Sequence, residues 1–211
     1  VRVQVCCSLS GGRSQHLQRE AAFSELLKIE RLEQVLDHAQ THRYWALLGE
    51  PGSGKSTVGR QLARRLDLPY VDADQVMEQR LGCSIREFFE REGEPRFRDL
   101  EAQVLDELTR RHPGVLSTGG GVVLRPENRE ILRERTQVFY LRCNPEEIYR
   151  RLRHDRVRPL LQVADPLAKL RDLWAQRDPL YREVAHHIIE SPKPSLSGLV
   201  QQILHCVANA T

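Results

Sequence analysis

The chain has 211 residues, is 40% hydrophobic, and carries 32 basic against 29 acidic residues for a formal net charge of +3. That apolar content suits one ordinary globular domain with a short appendage and excludes a disordered or fibrous chain. No run of about eighteen apolar residues is present to form a membrane-spanning helix, and the mild positive balance lacks the concentrated stripe of a dedicated nucleic-acid binder.

Residues Val1 to Ser14 show no periodicity and lack the pure apolar core of a secretory leader, so cytoplasm is the expected compartment. The five cysteines, Cys6, Cys7, Cys83, Cys143 and Cys206, are odd in number and have no metal-type spacing, and are read as reduced thiols. From Leu17 to His42, Phe23, Leu26, Leu27, Ile29, Leu32, Val35 and Leu36 recur at helical spacing and predict one amphipathic helix. Residues 1–43 therefore read as an N-terminal extension and 44–211 as the main domain. Only Lys28, Lys55, Lys169 and Lys193 among the cations are lysines; the rest are arginines. Arginine suits bidentate contacts with phosphate or carboxylate, although composition does not say which arginines make them.

After Tyr44, short apolar runs alternate with helical stretches, the rhythm of a parallel α/β domain. Strands are predicted at Tyr44–Leu48, Tyr70–Asp72, Val115–Thr118, Val138–Leu141 and His187–Glu190. Helices are predicted at Lys55–Leu66, Ser84–Arg91, Pro95–Arg111, Pro126–Arg135, Pro145–Arg153, Pro166–Gln176 and Ser195–Ala208, many opening on Pro or Ser as helix starts should.

The first strand runs into GEPGSGKST, residues Gly49 to Thr57, and then a helix, which meets both the spacing and the strand-to-helix context of a phosphate-binding loop. Its glycines let successive N–H groups turn around a phosphate, the helix N-terminus adds partial positive charge, Lys55 reaches the β and γ phosphates, and the Ser56 hydroxyl suits magnesium. ATP or GTP binding follows from this segment alone; the acceptor does not. Asp72 and Asp74 end the second strand, where open α/β sheets bind ligands. One carboxylate could hold a magnesium shell through water while the other takes a proton from an attacking hydroxyl. Capping of the next element is the plainer reading of the pair. Gly119, Gly120 and Gly121 end the third strand, and three consecutive glycines suggest a close approach to the backbone rather than a simple turn. The arginine-rich stretch Arg151 to Leu161 reads either as a mobile basic lid over phosphates or as a solvated loop.

Taken in order, GEPGSGKST, VDADQVMEQRLGCSIREFFEREGEPRFRDLE, LSTGGGVV, RVRPLL and RDPLYREVA resemble the shikimate kinases, within the nucleoside monophosphate kinase-like branch of P-loop proteins. The resemblance covers Trp45 to Leu204. It implies a three-layer α/β/α P-loop fold with a central five-stranded parallel sheet and a mobile lid. It further implies a monomeric, Mg²⁺-dependent enzyme that transfers the ATP γ-phosphate to the 3-hydroxyl of shikimate in chorismate and aromatic amino acid biosynthesis.

Carried onto this chain, the resemblance implies ATP contacts at Gly52, Ser53, Gly54, Lys55, Ser56 and Thr57, with Ser56 on magnesium and Asp72 on its shell through water. It implies Asp74 as the base at the 3-hydroxyl, Arg98 and Arg182 as the clamp on the shikimate carboxylate, and Gly119, Gly120 and Gly121 as the lining of that pocket. Arg158 matches the lid arginine, Arg151 the residue near adenine, and Pro194 the adenine-side loop around Lys193 to Ser195. The extension departs from the family pattern and raises one rival, a kinase-like effector-binding module of a transcription regulator. Such a module would be free to lose its acceptor residues, yet all the matched positions are present here. A kinase for gluconate or a nucleotide is disfavoured by the paired arginines and the glycine run.

Overall fold

The computed structural model describes residues 44–110, 114–153, 163–190 and 195–208. The proposed extension at 1–43, Arg158 and Pro194 lie outside them. Five strands, β1 (Tyr44–Leu48), β2 (Tyr70–Asp72), β3 (Gly114–Ser117), β4 (Thr136–Arg142) and β5 (His187–Glu190), form one parallel sheet in the order β2-β3-β1-β4-β5. Among the described residues, seven α-helices flank it: α1 (Lys55–Leu66), α2 (Ala73–Leu81), α3 (Ile85–Thr109), α4 (Pro126–Arg135), α5 (Pro145–Leu152), α6 (Pro166–Val184) and α7 (Leu196–Ala208).

The apolar strands bury both faces because alternate residues point to opposite sides. Ala46, Leu48, Leu116, Val138 and Tyr140 join one core with Met77 of α2, Leu105 of α3, Leu132 of α4 and Tyr181 of α6. Their neighbours Trp45, Leu47, Val115, Phe139 and Leu141 join the other, against Leu62 of α1 and Val200 and Ile203 of α7. Three layers result. The connection leaving β1 passes beyond β3 to β2, whereas β3 crosses over β1 to reach β4, so the strand order reverses beside β1. The crevice at that reversal, outside the carboxyl ends of the strands, is where such sheets bind ligands.

Three elements differ from the sequence expectation in ways that matter to the site. Helix α2 follows β2 without a loop, since the Asp72 side chain accepts from Asp74 N at 3.2 Å and caps it. Helix α3 carries a break at Gly93, with φ +80°, two residues before Pro95, so the two predicted helices meet at a kink. Helix α6 does not stop at Gln176 but continues through Pro179 to Val184. An interior proline costs about 3 kcal/mol in a helix. The continuation is held by fully buried Tyr181, whose hydroxyl donates to the Gly120 carbonyl.

Candidate active site

The loop between β1 and α1 is shaped by Gly49, Gly52 and Gly54, all at positive φ. A Cβ on Gly52 would stand 2.7 Å from Leu152 Cδ1, so this turn has room for glycine only. Lys55 is nearly buried and donates Nζ to the carbonyls of Gly49 at 2.7 Å and Glu50 at 3.1 Å, which lays the ammonium along the loop. Ser56 Oγ donates to Asp72 Oδ2 at 3.2 Å, and the Tyr70 hydroxyl donates to the same oxygen at 3.1 Å. The hydroxyl and carboxylate that the sequence offered for magnesium therefore meet between the start of α1 and the end of β2. Both are hard oxygen donors, few in number, which suits an ion that keeps most of its own waters.

A cleft of about 340 Å³ opens beyond them, lined by Pro51, Lys55, Asp72, Asp74, Thr118 and Gly120 among others. Burial pushes the Asp74 carboxyl up to about 6, with the neighbouring Asp72 carboxylate adding to the effect and Lys55 opposing it. Such a group gives up and takes protons near neutrality, as a general base requires.

The three glycines after β3 make room for charged side chains. A Cβ on Gly119 would stand 2.8 Å from Asp74 Oδ1 and 3.2 Å from Glu101 Oε1. One on Gly120 would stand 3.2 Å from Arg177 Nη1, and one on Gly121 would fall inside the Arg98 guanidinium. None of the three has positive φ. Close approach, rather than backbone conformation, is what asks for glycine here. Arg98, in the helical segment restarted after the Gly93 kink, donates Nη1 to buried Glu101 at 2.7 Å and Nη2 to Glu94 at 2.9 Å. Burial pushes the Glu101 carboxyl up while Arg98 pulls it down. The guanidinium is thereby held against Gly121.

Arg182 is not brought to this site. It is 45% exposed and donates Nε to Asp178 Oδ2 at 2.7 Å, in a cluster where Asp178 also receives Tyr140 Oη and Arg142 Nε. The arginine that faces the glycine run is Arg177, 13% exposed and bonded to Glu50 Oε2 at 3.1 Å. The two arginines are five positions apart along the helix, about 140° of rotation. The sequence reading missed Arg177 because it ended α6 at the preceding residue. The signal was the spacing to Tyr181, one turn later on the same face.

A second cavity of about 420 Å³ lies on the other side of the loop, between Gly54, Thr57, Arg151, Leu196 and Leu199. Arg151 Nη1 reaches the Ser53 carbonyl at 3.4 Å and Nε pairs with Glu147 at 3.0 Å. Leu196, Leu199 and Val58 on one side and the Arg151 guanidinium on the other offer two faces to a flat heterocycle.

The family model for shikimate kinase matches residues 51–208. The chain belongs to the shikimate kinase family. It is 61% identical over 160 residues to the shikimate kinase of Paracidovorax citrulli (strain AAC00-1), covering 74% of this chain and 87% of that one. It is 57% identical over 157 residues to the shikimate kinase of Ralstonia nicotianae (strain ATCC BAA-1114 / GMI1000), covering 74% and 83%. The solved structure of shikimate kinase from Acinetobacter baumannii in complex with shikimate superposes with a TM-score of 0.79 at 44% identity, covering 83% of this chain and 98% of that one. The three-layer P-loop fold is shared with that shikimate kinase, and the chain is an ATP-dependent kinase of the family. No helix among the described residues is long and apolar enough to cross a membrane.

Proposed function

We propose that the shikimate kinase activity of this chain runs through the cleft between the phosphate loop and the glycine run, transferring the ATP γ-phosphoryl group to the 3-hydroxyl of shikimate. The observation that carries this reading is the convergence on Gly119 to Gly121 of one carboxylate of raised pKa, Asp74, and two guanidinium groups, Arg98 and Arg177. Two arginines beside a proton acceptor suit a hydroxy acid: the forks take its carboxylate, and the carboxylate base meets its hydroxyl.

The loop from Gly52 to Thr57 takes the ATP phosphates on its main-chain N–H groups, with Lys55 swinging from its carbonyls to the β and γ oxygens. Adenine fits the cavity beside Arg151. Ser56 and Asp72 would hold Mg²⁺, which when bound neutralises charge on the phosphates. Asp74 orients the 3-hydroxyl and accepts its proton. Arg98, braced by Glu101, and Arg177 fix the ring so that this hydroxyl faces the γ-phosphate. Closure by Arg158 and an adenine contact at Pro194 complete the reading. So do its expected action as a cytoplasmic monomer and the separate status of residues 1–43.

A coupled assay of ADP release from MgATP tests it, with shikimate, gluconate and AMP as alternative acceptors. Turnover is expected with shikimate and near background with the other two. Binding of shikimate without turnover would instead favour an effector-binding role.

A further inference from the structure

Glu50 sits in the phosphate loop, yet phosphate binding gives it no task. The loop's bonds at this position are made by its main chain, whose carbonyl accepts from Ser53 N at 3.1 Å and from Lys55 Nζ at 3.1 Å. Its carboxylate is nonetheless turned inward, with the residue only 3% exposed. Oε2 accepts from Arg177 Nη1 at 3.1 Å, while Oε1 is buried and makes no hydrogen bond. Arg177 Nε is also buried without a partner. The pair is thus joined by a single bond, where a guanidinium and a carboxylate can make two. Both ions are largely removed from water, which is unfavourable unless other bonds compensate. An anion beside a loop that binds phosphates works against the loop's own ligand.

The Arg177 guanidinium lies between two anion positions. Glu50 holds one side, and the other packs against Gly120, which lines the cleft and where a Cβ would stand 3.2 Å from Nη1. The ionisable groups around the Glu50 carboxylate are Arg177, Lys55, Tyr181 and Tyr140. Only the first two carry positive charge. Burial raises the Glu50 carboxyl while Arg177 and Lys55 pull it back.

We propose that Glu50 is a positioning and specificity residue whose carboxylate serves as an internal counterion to Arg177, competing with the acceptor's carboxylate for that guanidinium. The charge on one phosphate-loop side chain then sets how strongly the site prefers an anionic acceptor. The proposal rests on the assignment of Arg177 to the acceptor carboxylate. Removing the charge while keeping an acceptor oxygen for Nη1 leaves Arg177 in place and frees its full positive charge for the substrate. The effect is confined to acceptors that carry a negative charge.

The test compares shikimate with its neutral carboxamide, reading the ratio of their kcat/KM values in the full chain with saturating MgATP. Glu50→Gln is expected to raise that ratio by at least about fivefold. Glu50→Met, apolar and of similar length, gives a second reading should the glutamine variant fail to fold. Glu50→Asp keeps the charge and is expected to stay within about twofold of the parent. An unchanged or lower ratio in a folded charge-removing variant would overturn the proposal. So would an equal rise in the aspartate variant. Arg177→Gln separates the two layers of the argument. If it leaves the ratio intact, the assignment of Arg177 falls and the role of Glu50 falls with it. If it collapses the ratio while Glu50→Gln does nothing, the assignment stands and only the role of Glu50 is lost.

Discussion

The Tyr181 hydroxyl donates to the main-chain carbonyl of Gly120 at 2.6 Å, tying the end of α6 to the glycine run after β3. Tyr181 is fully buried and stacks on Tyr140, with ring centroids 4.8 Å apart. One turn earlier on the same face stands Arg177. The bond therefore fixes both the glycine-run backbone and the helix that carries the Arg177 guanidinium beside Gly120. Tyr181→Phe keeps the packing and leaves the Gly120 carbonyl without its partner. We expect a loss of about 1–2 kcal/mol in urea unfolding. A higher KM for shikimate, with KM for ATP little changed, should accompany it in steady-state kinetics.

Asp74→Asn should lower kcat by about 10²- to 10⁴-fold with little effect on ATP affinity, because it removes the proton acceptor and leaves the phosphate loop intact. Unchanged turnover would remove its role. In the parent, kcat/KM for shikimate should fall on an acid limb centred near the Asp74 value of about 6.

The same residue makes a signed prediction for stability. Its folded pKa is about 6 and its ordinary value 3.8, so between these the folded state binds more protons than the unfolded state. Stability contributed by this group is then present at the acid end of that window and is lost as pH rises through 6. Asp74→Asn should abolish this term and raise stability at pH 7 by about 1–3 kcal/mol. Urea unfolding of both proteins at pH 4.5 and 7 measures it. A variant less stable than the parent at pH 7 would contradict the assigned cause.

Gly121→Ala tests the steric logic of the glycine run. Gly121 has φ −93°, which alanine adopts without strain, but a Cβ there enters the Arg98 guanidinium. The expected outcome is a rise of about tenfold or more in KM for shikimate, from displacement of Arg98 rather than from a change of fold. A KM within twofold of the parent would show that Arg98 takes no part in acceptor binding.

The two arginines of α6 can be told apart by single substitutions. Arg177→Lys should raise KM for shikimate about 10- to 100-fold, since an ammonium does not reproduce a planar fork. Arg182→Ala should move it less than about twofold, because Arg182 pairs with Asp178 and is 45% exposed. The reverse result would restore Arg182 to the clamp.

The local features of this protein were legible in its residues. The phosphate loop reads directly because glycine spacing, Lys55 and Ser56 act within one turn of chain and need only the strand before and the helix after. The sheet strands read because alternate apolar residues serve two buried faces. What depends on distant contacts did not. Proline at 179 ends a helix by local rules, yet the burial of Tyr181 and its bond to Gly120 carry α6 onward and set Arg177, not Arg182, beside the glycine run. The glycines at 119 to 121 announced a close approach, but which side chains approach was decided by α2, α3 and α6 converging on the end of β3. In the sequence Glu50 is one of the unspecified positions of the phosphate-loop pattern. Its burial against Arg177, 127 residues away, exists only in the folded chain. Hydrogen bonds and desolvation set by tertiary packing choose among arginines that local sequence makes equivalent.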